Sequence, residues 1–410
     1  DTRAALAALA AQWRARFDLP LVVVVGSNGK TTVKEMTAAI LRAHFGAQSG
    51  ESAVLATRGN FNNAIGLPLT LLALRGTHRA AVIELGMNHR GETRELAAIA
   101  HPTVALVNNA QREHQEFMRS VDEVAEEHAD AIRALREGGV AVINADDPHA
   151  QLWRDAARDA GARTVGFALV VGADADADGT VGADVADDAA GGDDVRGHAV
   201  LSATGSRLDI ALRDDRFQVR LAVPGAAMAR NALAATAAAT AMGATSAAVI
   251  RGLEAFRPVA GRLAAFTSFA GATVIDDTYN ANPDSVREAI DVLALASGER
   301  WLVLGDMGEV GAQGPAFHGE IGAYARARGI DRLLAAGELA RGAVAAFGAR
   351  GEYFSSIDAL IAAMDPPPGS TVLVKGSRFM RMERVTAALC SAAGDAAGGH
   401  CHASMEIGRA

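Results

Sequence analysis

Residues 22–32 read Val-Val-Val-Val-Gly-Ser-Asn-Gly-Lys-Thr-Thr and give the strongest indication of the fold in the chain. Consecutive β-branched residues are typical of a strand that is buried on both faces. The pattern from Thr31 to Ala43 favours a helix. Because a glycine-bounded turn between a buried strand and a helix is the context of a nucleotide phosphate loop, the stretch predicts an α/β fold with a phosphate site at the edge of a parallel sheet.

The turn carries the chemistry that a polyphosphate requires. Backbone N–H groups of residues 26–30 and the helix N-terminus attract anionic oxygens. Lys30 is placed to reach the β- and γ-phosphates, and the Thr31 hydroxyl to ligate Mg²⁺. In the motif GxxxxGK[ST] the first glycine would fall at position 24, where this chain has valine. We therefore predict a shortened phosphate loop, GSNGKTT, rather than an ordinary glycine turn.

The remaining sequence alternates strand-like and helix-like segments in two series. After a helix at 2–16, the first series has strands at 21–25, 80–85, 103–107 and 140–143, antiparallel alternation at 207–223, a Pro224-Gly225 turn and a helix at 229–242. The second has strands at 272–276, 301–304, 332–335 and 371–374, helices at 284–295, 317–328 and 339–347, and a last helix ending at Cys390. We predict an α/β protein: a P-loop central ATPase domain with a mostly parallel sheet, followed by a Rossmann-like doubly wound C-terminal domain.

Composition excludes several classes of protein. A chain of 410 residues with 50% hydrophobic and 21% charged residues is expected to form two or three globular domains. The net charge of -9 argues against a nucleic-acid surface. No apolar run reaches the roughly 18 residues of a membrane span, and Asp1 to Arg16 is too charged for a signal peptide, so we expect a cytoplasmic protein without membrane insertion.

Composition also suggests the domain limits. We expect domains at 1–256 and 257–390. Residues 172–198 are rich in Asp, Ala and Gly and predict an acidic flexible loop. The Gly/Ala-rich residues 391–410 predict a disordered tail. We interpret its His400-Cys401-His402 cluster as unstructured rather than as a metal site.

Further motifs resemble those of the Mur ligase family, the ATP-dependent amide ligases that build the stem peptide of peptidoglycan. In chain order they are GNFNNAIGLP at 59–68, ELGMN at 84–88, Asn109 with His114, DDTYNANP at 276–283, LGDM at 304–307 and KGSRFM at 375–380. The resemblance extends from residue 5 to residue 390, roughly, and the DDTYNANP and KGSRFM segments are similar to those of the members that add D-alanyl-D-alanine.

The resemblance implies an activity and its substrates. It implies ATP-dependent formation of an amide bond between UDP-N-acetylmuramoyl-tripeptide and D-alanyl-D-alanine, through an acyl phosphate, in peptidoglycan precursor synthesis. ATP and Mg²⁺ are the implied cofactors, the partners are small molecules, and we expect a monomer. It further implies that 1–256 is the central ATP-binding domain, and we expect the family's N-terminal UDP-binding domain to be absent from this chain.

The resemblance also assigns roles to individual residues. It implies catalytic roles for Lys30, Glu84 and His114, and metal ligation by Thr31, Glu84 and His114. The implied ATP-binding residues are Gly26, Ser27, Asn28, Gly29, Lys30, Thr31, Thr32, Asn231, Arg262 and Asp277. The implied substrate-binding residues are Asn60, Asn62, Asn63, Asn282, Lys375, Ser377 and Arg378.

Structural roles compete with several of these assignments. Glu84 can equally form an ion pair or cap, the Asn residues can form Asx turns, and Lys375 and Arg378 can form surface salt bridges. His318 receives no role.

The chain departs from the family pattern at two places. Position 128 is histidine where the family usually has a lysine that, after carbamylation, bridges to a second Mg²⁺. Either Glu127 or another carboxylate replaces that charge, or the second metal is held more weakly; we interpret His128 itself as an ordinary residue on a polar helix face. The family's His-Asn pair is absent at 227–228, which puts the adenine contacts in doubt.

Two other functions remain open from the sequence. One is a related Mur-type or folylpolyglutamate-type ligase with a different amine. The other is a nucleotide-binding scaffold with weak turnover, which the departures at 128 and 227–228 motivate.

Overall fold

A computed structural model describes residues 1–49, 53–172 and 194–390, and the chain divides into two compact units. The first unit comprises Asp1–Leu201 and Gly205–Arg257; the second comprises Ser202–Thr204 and the chain from Pro258. The predicted tail, with its His-Cys-His cluster, lies outside the described residues, as does most of the predicted acidic loop. The loop prediction was wrong at its far end, because Val195–Leu201 is a strand with alternating burial.

The first unit contains a largely parallel sheet. Its strands are β1 (Leu21–Val25), β2 (Val54–Ala56), β3 (Ala80–Glu84), β4 (Val104–Val107), β5 (Val140–Asn144), β6 (Arg163–Val171), β7 (Val195–Leu201), β8 (Ser206–Leu212) and β9 (Asp215–Leu221). The strand order is β2-β3-β1-β4-β5-β6-β7-β8-β9, and only the β7-β8 and β8-β9 pairings are antiparallel among the described residues. The order places β1 between β3 and β4, so the carboxyl ends of these three strands meet at one edge.

Helices cover both faces of this sheet. They are α1 (Thr2–Arg14), α2 (Lys30–Ser49), α3 (Gly66–Leu72), α4 (Glu92–Ala100), α5 (Val121–Arg133), α6 (Ala150–Asp159), α7 (Ala226–Ala241) and α8 (Ser246–Ala255). Helices α2, α7 and α8 pack together, while α1, α3 and α4 contact one another. Every residue of β1 is buried, as four successive valines predict for a strand between two helical layers.

The second unit has its own sheet and core. Its strands are β10 (Ala264–Thr267), β11 (Thr273–Asp277), β12 (Arg300–Gly305), β13 (Arg332–Ala336), β14 (Gly351–Phe354) and β15 (Thr371–Lys375). Its helices are α9 (Pro283–Ala294), α10 (Gly314–Ala327), α11 (Ala340–Phe347), α12 (Ile357–Ala362) and α13 (Glu383–Cys390). The order is β10-β11-β15-β12-β13-β14, with all pairings parallel except β10-β11. The predicted fold class, a P-loop α/β unit followed by a doubly wound one, is confirmed.

Within residues 1–49, 53–172 and 194–390, no helix is both long and apolar enough to cross a membrane.

Candidate active site

The phosphate loop lies between β1 and α2, as predicted. Gly26 and Gly29 have φ angles of +142° and +81°, a region that L side chains rarely adopt. A Cβ on Gly26 would lie 2.9 Å from Asn108 Cβ, and one on Gly29 would lie 2.7 Å from Asn108 Nδ2. Both glycines are therefore required by backbone conformation and by the close approach of the loop to the end of β4.

Amide side chains hold the loop in shape. Asn108 Nδ2 donates to Asn28 O at 2.8 Å and to Asn231 Oδ1 at 2.9 Å. Asn28 N donates to Asn109 Oδ1 at 2.9 Å, and Ser27 N donates to Asn109 O at 3.1 Å. Asn231, predicted to bind ATP, thus contacts Asn108, which in turn donates to the loop. These bonds pre-organise the loop, so a nucleotide does not have to order it.

Lys30 begins α2 and turns back across the loop. Its Nζ donates to Gly26 O at 2.5 Å and Ser27 O at 3.3 Å, and lies 3.3 Å from Glu113 Oε2. The ammonium group is thereby fixed at the edge of the sheet, beside the helix N-terminus, where both the charge and the N–H groups attract an anion.

Glu84 lies at the end of β3 and is buried. Its Oε1 accepts a hydrogen bond of 2.8 Å from Asn62 Nδ2. Its Oε2 is buried and has no hydrogen-bond partner among the described residues. No cation pairs with Glu84 in the described part of the chain, so the alternative of a structural ion pair loses its support. A buried carboxylate oxygen without a partner suits a divalent cation or a substrate donor.

Glu113 is a residue that the sequence reasoning missed. It is buried, with a side chain that is 7% exposed, and contacts three cationic or titratable groups. Lys30 Nζ lies 3.3 Å from Oε2, His114 Nε2 lies 3.6 Å from Oε2, and His128 Nε2 lies 3.4 Å from Oε1. Burial by itself raises the pKa of this carboxyl, but Lys30 first, and then His128 and His114, lower the pKa to about 2. Glu113 is therefore ionised at neutral pH.

His114 lies on the same loop in a strained conformation. Its φ of +49° is unusual for a residue with a side chain, and Phe117 N and Met118 N donate to its carbonyl oxygen. The chain therefore turns sharply at His114, whose Nε2 lies 3.6 Å from Glu113 Oε2.

The interpretation of His128 as a residue on a polar helix face was wrong. His128 is 1% exposed and points from α5 toward Glu113. Glu127, the suggested replacement carboxylate, has both oxygens occupied: Oε2 accepts from Gly91 N and Oε1 from Thr93 N, each at 2.8 Å, at the start of α4. Glu127 is therefore a cap of a neighbouring helix, not a free charge.

The donor set fits a divalent cation that is held partly by a nucleotide. Among the described residues, no group of three His, Cys, Asp or Glu side chains could hold a metal ion without other ligands. Mg²⁺ is usually bound through one or two carboxylates with phosphate oxygens and water completing the shell. Glu84, with its unpartnered Oε2 at the phosphate edge of the sheet, meets that requirement.

The second unit brings three of the predicted segments together. Lys375, at the end of β15, donates to Asp277 Oδ2 at 2.5 Å and to Asn280 O at 2.9 Å. Ser377 Oγ donates to Ala281 O at 3.0 Å and accepts from Gly308 N at 2.7 Å. Lys375 is 2% exposed, so the alternative of a surface salt bridge is wrong for it.

Other predicted residues have structural partners. Asn63 Oδ1 accepts from Ile65 N at 3.1 Å, which is an Asx turn before α3, and from Gly66 N at 2.9 Å; Asn60 is exposed. Asn282 forms a capping box with Ser285 at the start of α9. Arg378 is largely exposed and lies 3.3 Å from Glu383. These contacts give Asn63, Asn282 and Arg378 structural roles that need no ligand.

Arg262 lies over the ring of Tyr279, with its guanidinium carbon 4.1 Å from the ring centre. Tyr279 N also donates to Gly261 O at 3.1 Å, so the two segments are held together. A guanidinium group stacked on an aromatic ring keeps its charge while its orientation is restricted.

A P-loop nucleotide-binding protein is defined by a parallel sheet, a glycine loop after a central strand, a lysine at the helix start and an acid at the end of a neighbouring strand. The Mur ligase middle domain matches residues 24–239, and the family described as "Mur ligase, glutamate ligase domain" matches residues 261–378. The chain belongs to the Mur ligase family.

Individual relatives agree over nearly the whole chain. The UDP-N-acetylmuramoyl-tripeptide--D-alanyl-D-alanine ligase of Escherichia coli K12 is 37% identical over 95% of this chain and 81% of its own length. A crystal structure of MurF from Acinetobacter baumannii has a TM-score of 0.82 and 31% identity, covering 95% of this chain and 81% of that one. MurF ligase from Thermotoga maritima in complex with ADP has a TM-score of 0.77 and 25% identity, covering 95% and 83%.

Proposed function

We propose that this chain is an ATP-dependent ligase that joins UDP-N-acetylmuramoyl-tripeptide to D-alanyl-D-alanine, acting as a cytoplasmic monomer. The observation that carries the proposal is its 37% identity, over 95% of the chain, to a ligase of that name. The pre-organised phosphate loop beside Glu84 and His114 supports the ATP-dependent step.

The reaction requires activation of a carboxylate, because an oxide ion is not a viable leaving group. The carboxylate oxygen attacks the γ-phosphorus of ATP, the bond to the β-γ bridging oxygen breaks, and ADP leaves. The neutral amine of D-alanyl-D-alanine then attacks the acyl carbon, loses a proton, and expels inorganic phosphate. The protein contributes positioning and charge neutralisation more than covalent chemistry.

Lys30 is the residue that neutralises charge on the transferred phosphoryl group. Its ammonium is held by Gly26 O and Glu113, so little reorganisation is needed when the phosphate binds. Mg²⁺, when bound, supplies further neutralisation, and we assign Thr31, Glu84 and His114 as its protein ligands. Asn62 orients Glu84 through Oε1 and leaves Oε2 for the ligand.

The second unit supplies the other contacts in this proposal. Arg262 and Asp277 bind the nucleotide, and the 375–378 turn binds the carboxylate end of the dipeptide. The buried pair of Asp277 and Lys375 fixes both side chains in place. Since Lys30 and Arg262 belong to different units, the proposal requires domain closure around one nucleotide.

The test is Mg²⁺-dependent release of ADP by the natural full-length protein. UDP-N-acetylmuramoyl-tripeptide is supplied with D-alanyl-D-alanine, D-glutamate or diaminopimelate in parallel. We expect release with D-alanyl-D-alanine alone and one new amide per ADP. ADP release that depends on another amine would replace the proposal by a related ligase. Absence of ADP release with all three amines would favour the nucleotide-binding scaffold.

A further inference from the structure

Glu113 is a buried acid whose only task in the proposed reaction so far is to hold the Lys30 ammonium. Its two oxygens face Lys30, His114 and His128 from three directions. Its Oε1 forms no hydrogen bond within the described residues, and neither nitrogen of His128 does. A buried carboxylate oxygen that accepts no hydrogen bond is costly unless another group completes its shell.

The neighbouring acids are not available for the same position. Glu127 caps α4 with both oxygens. Asp130 pairs with Arg94 at 3.1 Å and Arg133 at 2.9 Å. Glu116 is exposed to solvent on the same loop as Glu113. Of these four acids, Glu113 is the one that contacts the phosphate-loop lysine.

The chain has few lysines that could carry a carbamate. The sequence contains Lys30, Lys34 and Lys375 and no other lysine. Lys34 is buried, donates to Thr57 O at 2.7 Å and pairs with Glu35, while Lys375 pairs with Asp277 in the second unit. Lys30 is the phosphate-loop lysine. No lysine remains that could be carbamylated to supply an anion beside Glu113.

We propose that Glu113 supplies, as an unmodified carboxylate, the anionic group that faces the divalent cation of the nucleotide beside Lys30, so that this chain needs no carbamylated lysine. His128 lies against Oε1 and positions the carboxylate. Glu113 also holds Lys30, which couples the cation to the phosphate loop. This inference rests on the proposed function, which supplies the nucleotide. It concerns binding of the cation, which is measured separately from ligase activity.

Binding of Mn²⁺ with ADP is the first test, measured by electron paramagnetic resonance without any other substrate. We expect Glu113→Gln to weaken Mn²⁺ binding by about tenfold or more. Glu116→Gln, the same change on the exposed face of the same loop, should leave it unchanged. Glu113→Asp keeps the charge and should restore most of the affinity. Equal Mn²⁺ affinity in Glu113→Gln, Glu116→Gln and the wild type would overturn the inference.

Dependence on carbon dioxide is the second test, and it needs no variant of the wild-type protein. Carbamylation joins an uncharged lysine amine to CO₂ with loss of one proton, so an enzyme that uses it responds to bicarbonate. We expect the wild type to release ADP at the same rate with and without bicarbonate in CO₂-depleted buffer. A several-fold stimulation by bicarbonate would overturn the inference even if Glu113→Gln failed to fold.

A double variant replaces the unmodified carboxylate by a lysine that can be carbamylated. Glu113→Ala with His128→Lys places a lysine where the acid's partner now lies. We expect its Mn²⁺ binding to be weak in CO₂-depleted buffer and to recover with bicarbonate. Recovery without bicarbonate would contradict an anionic role at this position. If none of the three amines makes the wild type release ADP, the proposed function fails, but the Mn²⁺ measurements still decide the role of Glu113.

Discussion

Lys30 contacts both the phosphate loop and the buried acid Glu113. Its ammonium contacts two backbone carbonyls of the loop and the Glu113 carboxylate, so its position is fixed before a nucleotide binds. A single point charge held in this way stabilises the charge that develops on a transferred phosphoryl group.

Replacing Lys30 by alanine removes that charge. We expect Lys30→Ala to lower kcat by about 10³-fold, the usual cost of losing one pre-organised group that stabilises the transition state. Arg119→Ala is the control, because Arg119 is a cation on the nearby loop with 87% of its side chain exposed. Steady-state ADP release measures both variants. Turnover by Lys30→Ala within about tenfold of the wild type would contradict the assignment.

The conformation of the phosphate loop depends on its glycines, which allow a backbone shape that other residues rarely take. We expect Gly29→Ala to abolish ADP binding, since a Cβ there has an unfavourable φ of +81° and would meet Asn108. Gly161→Ala is the matched control: its φ is +65°, but nothing lies within 4 Å of the added Cβ. Calorimetric titration with ADP and thermal unfolding separate lost binding from lost stability. Equal loss of ADP binding in both variants would mean that backbone strain alone is responsible.

Helix α10 contains a buried histidine that holds the loop after β12. His318 Nδ1 donates to Gly314 O at 2.7 Å and Nε2 accepts from Met307 N at 2.9 Å, so the ring is neutral. Burial lowers the pKa of His318 below 6.5, although Gly314 O and Asp306 oppose the shift. The unfolded chain therefore takes up the proton first as the pH falls.

The stability of the second unit should consequently decline below pH 6.5, the ordinary pKa of histidine. The free energy of unfolding falls by up to about 1.4 kcal/mol per pH unit until the folded pKa is reached. His318→Gln retains a donor and an acceptor but does not titrate, so we expect urea unfolding of this variant to depend less on pH between 7 and 5, roughly the range where histidine ionises. Identical pH profiles for the two proteins would show that another group is responsible.

At the scale of the whole molecule, the proposed function requires that residues of both units bind one nucleotide. We expect a non-hydrolysable ATP analogue to slow hydrogen exchange in residues 26–32 and also in 258–263 and 276–279. Arg262→Ala should remove the protection of the second unit and leave that of 26–32. Mass-resolved exchange measures all three segments. Protection confined to the first unit would contradict nucleotide binding by Arg262 and Asp277.

Regular segments were predictable from local pattern. The limits of β1 were predicted to the residue, because a run of valines followed by glycine is typical of a buried strand that ends at a turn. Short strands were missed: β2 has three residues and β10 and β14 have four each, so none of the three has a recognisable period. The nine-residue strand β6 was missed as well. The predicted start of α2, Thr31, was one residue late, because Lys30 already takes the helical conformation.

The candidate site was predictable in part for a similar reason. Motifs carry residues that follow strand ends, such as Glu84, and adjacency of those ends follows from a parallel sheet. Glu113 was missed because burial depends on the turn at His114 and on α5, which no local pattern specifies. The available signal was an acid directly before His114 combined with the absence of a lysine at position 128.

Transfer of oxygen from substrate to phosphate tests the central claim, an amide ligase that activates a carboxylate, most directly. The natural protein is given ATP, D-alanyl-D-alanine and UDP-N-acetylmuramoyl-tripeptide with ¹⁸O in the carboxylate that forms the new amide. The account predicts that each phosphate released carries one ¹⁸O atom, since that oxygen leaves with phosphorus when the amine attacks. Unlabelled phosphate formed together with the amide product would contradict it.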